Sequence, residues 1–207
     1  MKRSQAVTTL FLDIGGVLLT NGWDHQARKR AAKAFRIDLD EMTGRHELIF
    51  GPFEKGELTL NEYLRRVVFY RARPFTQERF RAFMFAQSRA YPRMIGLVSA
   101  LKARFALKIA VVSNESRELN AYRIRTFGLD RFVDFFISSC YVHLRKPEAE
   151  IFRMALDVSQ TPANRIVYID NTPSFTRLAQ RLGMRGIVHT TYGSTRAKLA
   201  SFGLKLD

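Results

Sequence analysis

Six polar residues of this sequence lie at or just after the ends of short apolar runs. An apolar run of this kind is typical of a buried segment, and an unpaired carboxylate at its end is costly in free energy. Such an arrangement indicates a shared role for these residues, which are Asp13, Ser113, Asn114, Lys146, Asp170 and Asn171.

The residue types suit chemistry on a phosphoryl group. Asp13 and Asp170 can share one divalent cation, and their hard oxygen atoms suit Mg²⁺ rather than zinc. That cation and Lys146 would neutralise a phosphoryl group, while Ser113 and backbone N–H groups after Asp13 donate hydrogen bonds to its oxygens. Asp13 would be the nucleophile, because aspartate carboxylates form aspartyl-phosphate intermediates.

Two glycines, Gly15 and Gly16, follow the proposed nucleophile. Because neither has a Cβ atom, both allow the loop to come close to a bound ligand. Together with Ser113, Asn114 and Lys146, they are the residues that we expect to contact the substrate.

Helix capping is a plainer explanation for single members of the set. Asp170 could cap a helix that begins near Pro173, and Ser113 or Asn114 could cap the helix that follows them. One residue alone does not distinguish a cap from a site. Polar residues at four successive strand ends favour a site.

Five short runs rich in β-branched and aromatic residues predict β-strands. They are AVTTLFLDI, LKIAVVSN, RFVDFFISS, NRIVYIDN and RGIVHTT. Helical patterns lie between them, and one places Phe175, Leu178, Ala179 and Leu182 on a single face before Gly183. This alternation predicts an α/β fold with a doubly wound, mainly parallel Rossmann-like sheet, which binds ligands at the carboxyl ends of its strands.

No convincing strand occurs between about Asn21 and Tyr91. Three segments in this interval predict helices, and the second has a capping box from Thr59 to Glu62 and an apolar face. The segments are DHQARKRAAKAFR, TLNEYLRRVVFYR and TQERFRAFMFAQSRA. We therefore predict a core domain of residues 1–20 and 92–207 with an all-helical cap domain, residues 21–91, inserted after the first strand.

The composition restricts partners and location only weakly. The 207 residues include 34 Lys and Arg against 19 Asp and Glu, and the net charge of +15 attracts anions of any kind. A solvated helix face explains the basic run RKRAAKAFR better than nucleic-acid binding does. The single cysteine, Cys140, suits a reducing cytoplasm, and no apolar run predicts a membrane span. We expect a monomer or a homodimer in the cytoplasm.

Four motifs resemble those of the haloacid dehalogenase-like (HAD) hydrolase superfamily, in order and at sensible spacing. They are FLDIGGVL, VVSN, LRKPEAEIF and VYIDNTPSFTRLAQRLGMRGI. The resemblance implies that Asp13 is nucleophile and metal ligand, and that the Gly15 carbonyl and Asp170 bind the metal. It also implies that Ser113 binds phosphate and that Lys146 stabilises charge. The inserted helices resemble the small cap of the branch that contains haloacid dehalogenases and many sugar-phosphate phosphatases.

The sequence departs from the pattern of that superfamily at two places. Its phosphatases usually carry a second Asp two residues after the nucleophile, which protonates the leaving group, but Gly15 stands here. A minority of small-cap relatives share this glycine. The fourth motif often reads Asp-Asp with Asn at the sixth position, and here it reads Asp170-Asn171 with Phe175. Asn171 can orient a metal-bound water but brings no charge, which predicts low metal affinity, and Phe175 is expected in the core.

These features favour a Mg²⁺-dependent phosphomonoester hydrolase that acts on a small phosphorylated metabolite through an aspartyl-phosphate at Asp13. Two alternatives stay open. A protein that keeps the fold and binds a ligand or partner with little turnover is favoured by Gly15 and Asn171. A haloacid dehalogenase also uses an aspartate nucleophile without the second Asp, although it typically has an aromatic residue in place of Gly15.

Three further residues receive weaker expectations. Of the four histidines, only His143 is expected near the site, because it is close to Lys146 in sequence. Trp23 is expected to pack between core and cap rather than to line the substrate entrance. Cys140 is expected to be buried at the end of the third strand.

Overall fold

The computed structural model describes residues 6–206, and it contains one five-stranded parallel sheet. The strands lie in the order β3-β2-β1-β4-β5. Their bounds are Thr9–Leu12 (β1), Lys108–Ser113 (β2), Phe135–Ser138 (β3), Ile166–Asp170 (β4) and Arg185–Val188 (β5). All five predicted strands and the doubly wound, parallel order are thereby confirmed.

Helices cover both faces of the sheet, which explains why its central strands are apolar throughout. Leu10 and Leu12 of β1 belong to one cluster of buried side chains, and Phe11 belongs to another. Successive side chains of a strand point to opposite faces, so β1 contributes to both hydrophobic layers. The helices of this part of the chain are Pro92–Phe105 (α5), Arg117–Thr126 (α6), Ser139–Val142 (α7), Ala149–Ser159 (α8), Pro173–Arg181 (α9) and Tyr192–Ser201 (α10).

Four helices form the insertion between β1 and α5. They are His25–Phe35 (α1), Leu39–Glu54 (α2), Leu60–Val67 (α3) and Gln77–Phe85 (α4). The predicted capping box of α3 is confirmed, since Glu62 N donates to Thr59 Oγ1 and Thr59 N donates to Glu62 Oε2. The apolar face of α3 is buried in a third hydrophobic cluster, which side chains of all four inserted helices form. This cluster is separate from the two that cover the sheet.

Helices α2, α5, α7 and α10 are absent from the predicted elements. The omission of α2 has a local cause, since the helix contains Gly44, Gly51 and Pro52, three residues of low helix propensity. Its first turn is stabilised by Asp38, whose side chain accepts a hydrogen bond from Glu41 N. Packing against α1 and α3 then outweighs the weak local preference.

The chain crosses between sheet and cap twice, at neighbouring positions. Thr20 N donates to the carbonyl of Arg89 at 2.9 Å, and Tyr91 N donates to the carbonyl of Leu18 at 2.8 Å. The limits of 21 and 91 for the cap stay a prediction. Residues 1–5 and Asp207, which the predicted core domain includes, lie outside the described residues.

The helices are short relative to a lipid bilayer. The longest, α2, has 16 residues, whereas a spanning helix needs about 20 apolar residues. Within residues 6–206, no helix is long and apolar enough to cross a membrane.

Candidate active site

The order and register of the strands bring the predicted site residues to one edge of the sheet. β1 lies between β2 and β4, and Leu12 is level with Val111 and Ile169. Asp13 N donates to the carbonyl of Ile169 at 2.9 Å, which holds Asp13 beside Asp170 at the carboxyl end of β4. Parallel strands alone therefore place these two carboxylates together.

Lys146 connects the two carboxylates. Its Nζ lies 2.7 Å from Asp170 Oδ2, 3.1 Å from Asp13 Oδ1 and 3.1 Å from the hydroxyl oxygen of Tyr168. An ammonium group has three hydrogens, so each of them has a partner. Lys146 is only 1% exposed, and its charge is therefore directed at the two acids rather than at solvent.

Asn114 supports Lys146 through the backbone. Its side-chain Nδ2 donates to the Lys146 carbonyl at 2.9 Å, and its Oδ1 accepts from Lys146 N at 2.8 Å. These two hydrogen bonds use both the N–H and the oxygen of the Asn114 side-chain amide, and they fix the position of the Lys146 backbone. Direct contact of Asn114 with substrate stays a prediction. Helix α6 has Ser116 at its N-cap, so neither Ser113 nor Asn114 caps it.

Asp170 is fully buried, and both of its oxygens have partners. Oδ2 accepts from Lys146 and from the Tyr168 hydroxyl, and Oδ1 accepts from Thr172 N at 2.7 Å. The N-cap of α9 is Thr172, so Asp170 lies before the cap rather than at it. A carboxylate oxygen accepts more than one partner, so a role for Asp170 as metal ligand stays a prediction.

Tyr168 is a site residue that the sequence reasoning missed. It lies two positions before Asp170 on β4, and side chains two apart on a strand point to the same face. Burial raises the pKa of Tyr168 well above its usual value, with the charges of Asp170 and Asp13 adding to the effect. The hydroxyl therefore stays protonated and remains a hydrogen-bond donor to Asp170.

Asp13 has an unusual environment for a carboxylate. Burial raises the pKa of Asp13 to about 6, while Lys146 opposes the shift, Asp170 adds to it, and a hydrogen bond from Ser113 lowers it. The side chain is ionised at neutral pH but has lost most of its hydration. A carboxylate in this state is a better nucleophile than one in water.

The two glycines after Asp13 are not equivalent. Gly16 has φ +72°, and a Cβ there would lie 2.0 Å from Asn171 Nδ2. At Gly15 the backbone is ordinary, and a Cβ would meet Asn21 Oδ1 at 3.4 Å, a normal contact. Close approach of the loop therefore requires glycine at position 16, whereas position 15 has room for a side chain.

These residues surround a cavity of about 260 Å³. Asp13, Gly15 and Asn171 line it, and their carboxylate, carbonyl and amide oxygens suit a hard cation such as Mg²⁺. Residues 6–206 contain no cluster of three or more His, Cys, Asp or Glu side chains placed to hold a metal. The donor atoms are thus of the type that Mg²⁺ prefers. Only the Asp13 carboxylate among these three donors carries a negative charge to hold the ion.

Phe175 contributes to the cavity as well as to the core. It is half-buried and packs against the cluster on the α8 and α9 side of the sheet, as expected. It also lines the cavity, and its ring centroid lies 5.0 Å from Lys146 Nζ. The interpretation of Phe175 as core alone was incomplete.

The three weaker expectations have mixed outcomes. His143 is not among the residues that line the cavity; its Nδ1 bonds to the carbonyl of Lys55 at 2.8 Å, so that expectation was wrong. Trp23 packs into the hydrophobic cluster of the cap, with Leu119 of the core in the same cluster, as expected, but it also lines a cavity of about 250 Å³ between cap and core. Cys140 is buried as expected, but in α7, after the third strand has ended at Ser138.

Comparison with known proteins adds a family and a set of similar sequences. The family model "haloacid dehalogenase-like hydrolase" matches residues 7–194. Drimenol cyclase drtB of Aspergillus calidoustus is 27% identical over 186 residues, which are 88% of this chain and 34% of that protein. Bifunctional epoxide hydrolase 2 of Mus musculus is 36% identical over 69 residues, 33% of this chain and 12% of that protein. The chain thus spans about a third or less of these curated relatives.

Solved structures share the fold at low sequence identity. HAD family enzyme BT-2542 from Bacteroides thetaiotaomicron has a TM-score of 0.76 at 20% identity, with 90% of this chain and 95% of that chain covered. That enzyme has also been crystallised with magnesium and inorganic phosphate. The L-2-haloacid dehalogenase RSc1362 has a TM-score of 0.64 at 15% identity, with 88% and 86% covered. The fold is therefore shared by an enzyme crystallised with magnesium and phosphate and by a dehalogenase.

Substitution of the two glycines should separate their roles. Gly16→Ala should lower the free energy of unfolding by at least about 1 kcal/mol, because a positive φ is strained for alanine and its Cβ displaces Asn171. Gly15→Ala should leave it unchanged or raise it by up to about 1 kcal/mol through a less flexible unfolded chain. Urea unfolding of both variants measures the difference, and equal losses would contradict this account of the loop.

Asp13→Asn should stabilise the protein at neutral pH in metal-free buffer. The pKa of Asp13 is about 6 in the fold against 3.8 normally, so the folded state binds more protons between those values. Stability is therefore lost as pH rises through that window, and asparagine avoids the loss. The gain is up to about 3 kcal/mol at pH 7.5 and disappears below pH of about 4.

Urea unfolding at both pH values tests this sign. Exposed Asp157, changed to Asn, is the control and should shift stability by less than about 0.5 kcal/mol. A loss of stability for Asp13→Asn at pH 7.5 would contradict this sign. It would show that the attraction between Lys146 and the Asp13 carboxylate outweighs the free-energy cost of burying that carboxylate.

Proposed function

The chain belongs to the haloacid dehalogenase-like hydrolases, and we propose that it is a phosphatase that cleaves a phosphomonoester with Asp13 as nucleophile and Mg²⁺ as cofactor. One observation carries the proposal. A buried carboxylate, Asp13, lines a small cavity at the sheet edge with Lys146 Nζ 3.1 Å from its Oδ1. The magnesium and phosphate complex of BT-2542 supports the same chemistry by similarity of fold.

The reaction begins at the carboxylate of Asp13. Lys146 contacts Oδ1, so we assign Oδ2 as the oxygen that attacks phosphorus. The new O–P bond forms as the bond from phosphorus to the leaving-group oxygen breaks, and that oxygen departs with the electron pair. Lys146 and the Ser113 hydroxyl offset the charge that gathers around the transferred group, which is electrostatic stabilisation in a site largely closed to water.

A second displacement regenerates the enzyme. Water attacks phosphorus of the aspartyl-phosphate, inorganic phosphate leaves, and the Asp13 carboxylate returns to its contact with Lys146. When bound, Mg²⁺ would be held by Asp13, the Gly15 carbonyl, Asp170 and Asn171, and would reduce the repulsion between the carboxylate and the phosphate. Asp170 and Tyr168 keep the Lys146 ammonium in place through both steps.

This chain lacks the second Asp that usually protonates the leaving group in phosphatases of the superfamily. Gly15 has no side chain to supply the proton, and Glu115, which also lines the cavity, has its Oε1 in an ion pair with Arg123 at 2.6 Å. The proton must then come from water, from the substrate or from another residue. Leaving groups that need little protonation are the ones this site suits.

Turnover of phosphomonoesters should require both Mg²⁺ and Asp13. We expect release of inorganic phosphate from an aryl phosphate that stops with chelator, returns with Mg²⁺, and is lost in Asp13→Asn, because an amide is a poor nucleophile. A malachite green assay measures it. Phosphate release that continues undiminished in chelator would contradict the cofactor, and chloride release from a 2-chloroacid would support the dehalogenase instead.

The missing acid predicts a preference among leaving groups. Wild type should hydrolyse phenyl phosphate far faster than ethyl phosphate, since a positioned acid contributes about 10²- to 10⁴-fold to rate. Gly15→Asp should narrow the gap in kcat/KM, because position 15 has room for a Cβ. Gly15→Asn is the matched control, with the same shape and no transferable proton. Equal rates for both esters in wild type, or equal behaviour of the two variants, would contradict this role.

A further inference from the structure

A second cavity adjoins the catalytic one on the side of the cap. It has a volume of about 250 Å³, and Arg28, His46 and Phe50 of α1 and α2 line its cap side. Both cavities share Asn21, Asn114 and Glu115. A phosphomonoester with its phosphate at Asp13 can therefore direct its leaving group into this second cavity, which we call the cap cavity.

Arg28 is a buried cation without an acidic partner. It is 8% exposed, its Nη1 donates to the carbonyl of Trp23 at 3.1 Å, and its Nε is buried with no hydrogen-bond partner. Among residues 6–206, no carboxylate lies within ion-pair distance of it. Burial of an unpaired guanidinium costs free energy, and such a cost is recovered when a ligand supplies the acceptor.

The acids that line the cap cavity are already engaged. Glu54 pairs with Arg145 at 2.8 Å, and Glu115 pairs with Arg123. Asp24 accepts from Ala27 N at 2.8 Å as the N-cap of α1. Arg28 is thus a buried cation of the cap cavity that has a carbonyl partner but no ion-pair partner within the described chain.

His46 supplies a second donor to the same cavity. Trp23 Nε1 can only donate, so the Tyr63 hydroxyl accepts from it at 2.9 Å. The buried hydroxyl then donates its own hydrogen to His46 Nδ1, 2.7 Å away, since it would otherwise lack an acceptor. Burial lowers the pKa of His46 to about 3, so the ring is neutral with its hydrogen on Nε2. A donor, rather than an acceptor, is left for a ligand.

We propose that Arg28 and His46 form a subsite for an anionic oxygen group, a carboxylate or a second phosphate, on the leaving group of the substrate. The assignment rests on the proposed function, because it requires that phosphate occupy the cavity beside Asp13. A guanidinium matches a carboxylate or phosphate with two parallel hydrogen bonds, and the His46 N–H adds a third. The volume of the cap cavity suits a leaving group about the size of one ring with one substituent.

The test compares two aryl phosphates that differ in one anionic group, phenyl phosphate and 3-carboxyphenyl phosphate. Wild type should show a KM at least about 10-fold lower for the carboxylated ester. Arg28→Gln should raise the KM of that ester about 10- to 100-fold more than the KM of phenyl phosphate, with a smaller change in kcat. Arg28→Lys keeps the positive charge but cannot make two parallel hydrogen bonds, so its KM for the carboxylated ester should lie between those of wild type and Arg28→Gln.

Lys29→Gln is the matched control, because it removes the same charge from the next residue, which is exposed on α1. It should leave the KM ratio of the two esters unchanged. A wild-type enzyme with equal KM values for both esters overturns the subsite even if Arg28 variants do not fold, while the phosphatase assignment stands. An equal rise in KM for both esters in Arg28→Gln overturns the subsite as well. Absence of phosphate release from either ester by wild type overturns the proposed function and the subsite with it.

Discussion

The ammonium of Lys146 is the interaction on which the site depends. Asp13 and Asp170 lie at the ends of adjacent strands and are largely withdrawn from water, so without a cation between them they would repel each other. One buried ammonium lies between the two carboxylates, and burial is the main cause of the raised pKa of Asp13, with Lys146 opposing the rise and Asp170 adding to it. Burial of these three charged side chains is unfavourable by itself. The apolar sheet, covered by helices on both faces, provides the stability that offsets this cost.

A second buried ion pair joins this edge of the sheet to the base of the cap. Arg123 on α6 is almost fully buried, pairs with Glu115, and donates through Nη2 to the carbonyl of Thr20 just before the cap begins. Glu115 Oε1 also lies 3.4 Å from the hydroxyl oxygen of Ser113. The loop after β2 therefore contacts both the proposed phosphate site and the entry to the cap, and the two cavities meet at this loop.

Much of the fold and the outline of the site could be predicted from the sequence, because both depend on order along the chain. Apolar runs that alternate with helical patterns predict a parallel sheet, and parallel strands bring their carboxyl ends to one edge. Asp13 directly follows β1, and Ser113 and Asp170 are the last residues of β2 and β4, so their proximity needed no knowledge of side-chain packing. The capping box of α3 is likewise a matter of residues three apart.

What the sequence determined by itself was thus the alternation of elements and which polar residues end the strands. The tertiary structure decided which side chains meet across the gap between cap and core. Arg28 and His46 face the catalytic edge from the cap, whereas His143, nearest to Lys146 in sequence among the histidines, bonds elsewhere. The contacts of Lys146 with Tyr168 and Asp170, which are 22 and 24 residues away in sequence, also appear only in the fold. Local patterns depend on neighbours in the chain, but these contacts depend on how distant helices pack, which no short stretch of sequence encodes.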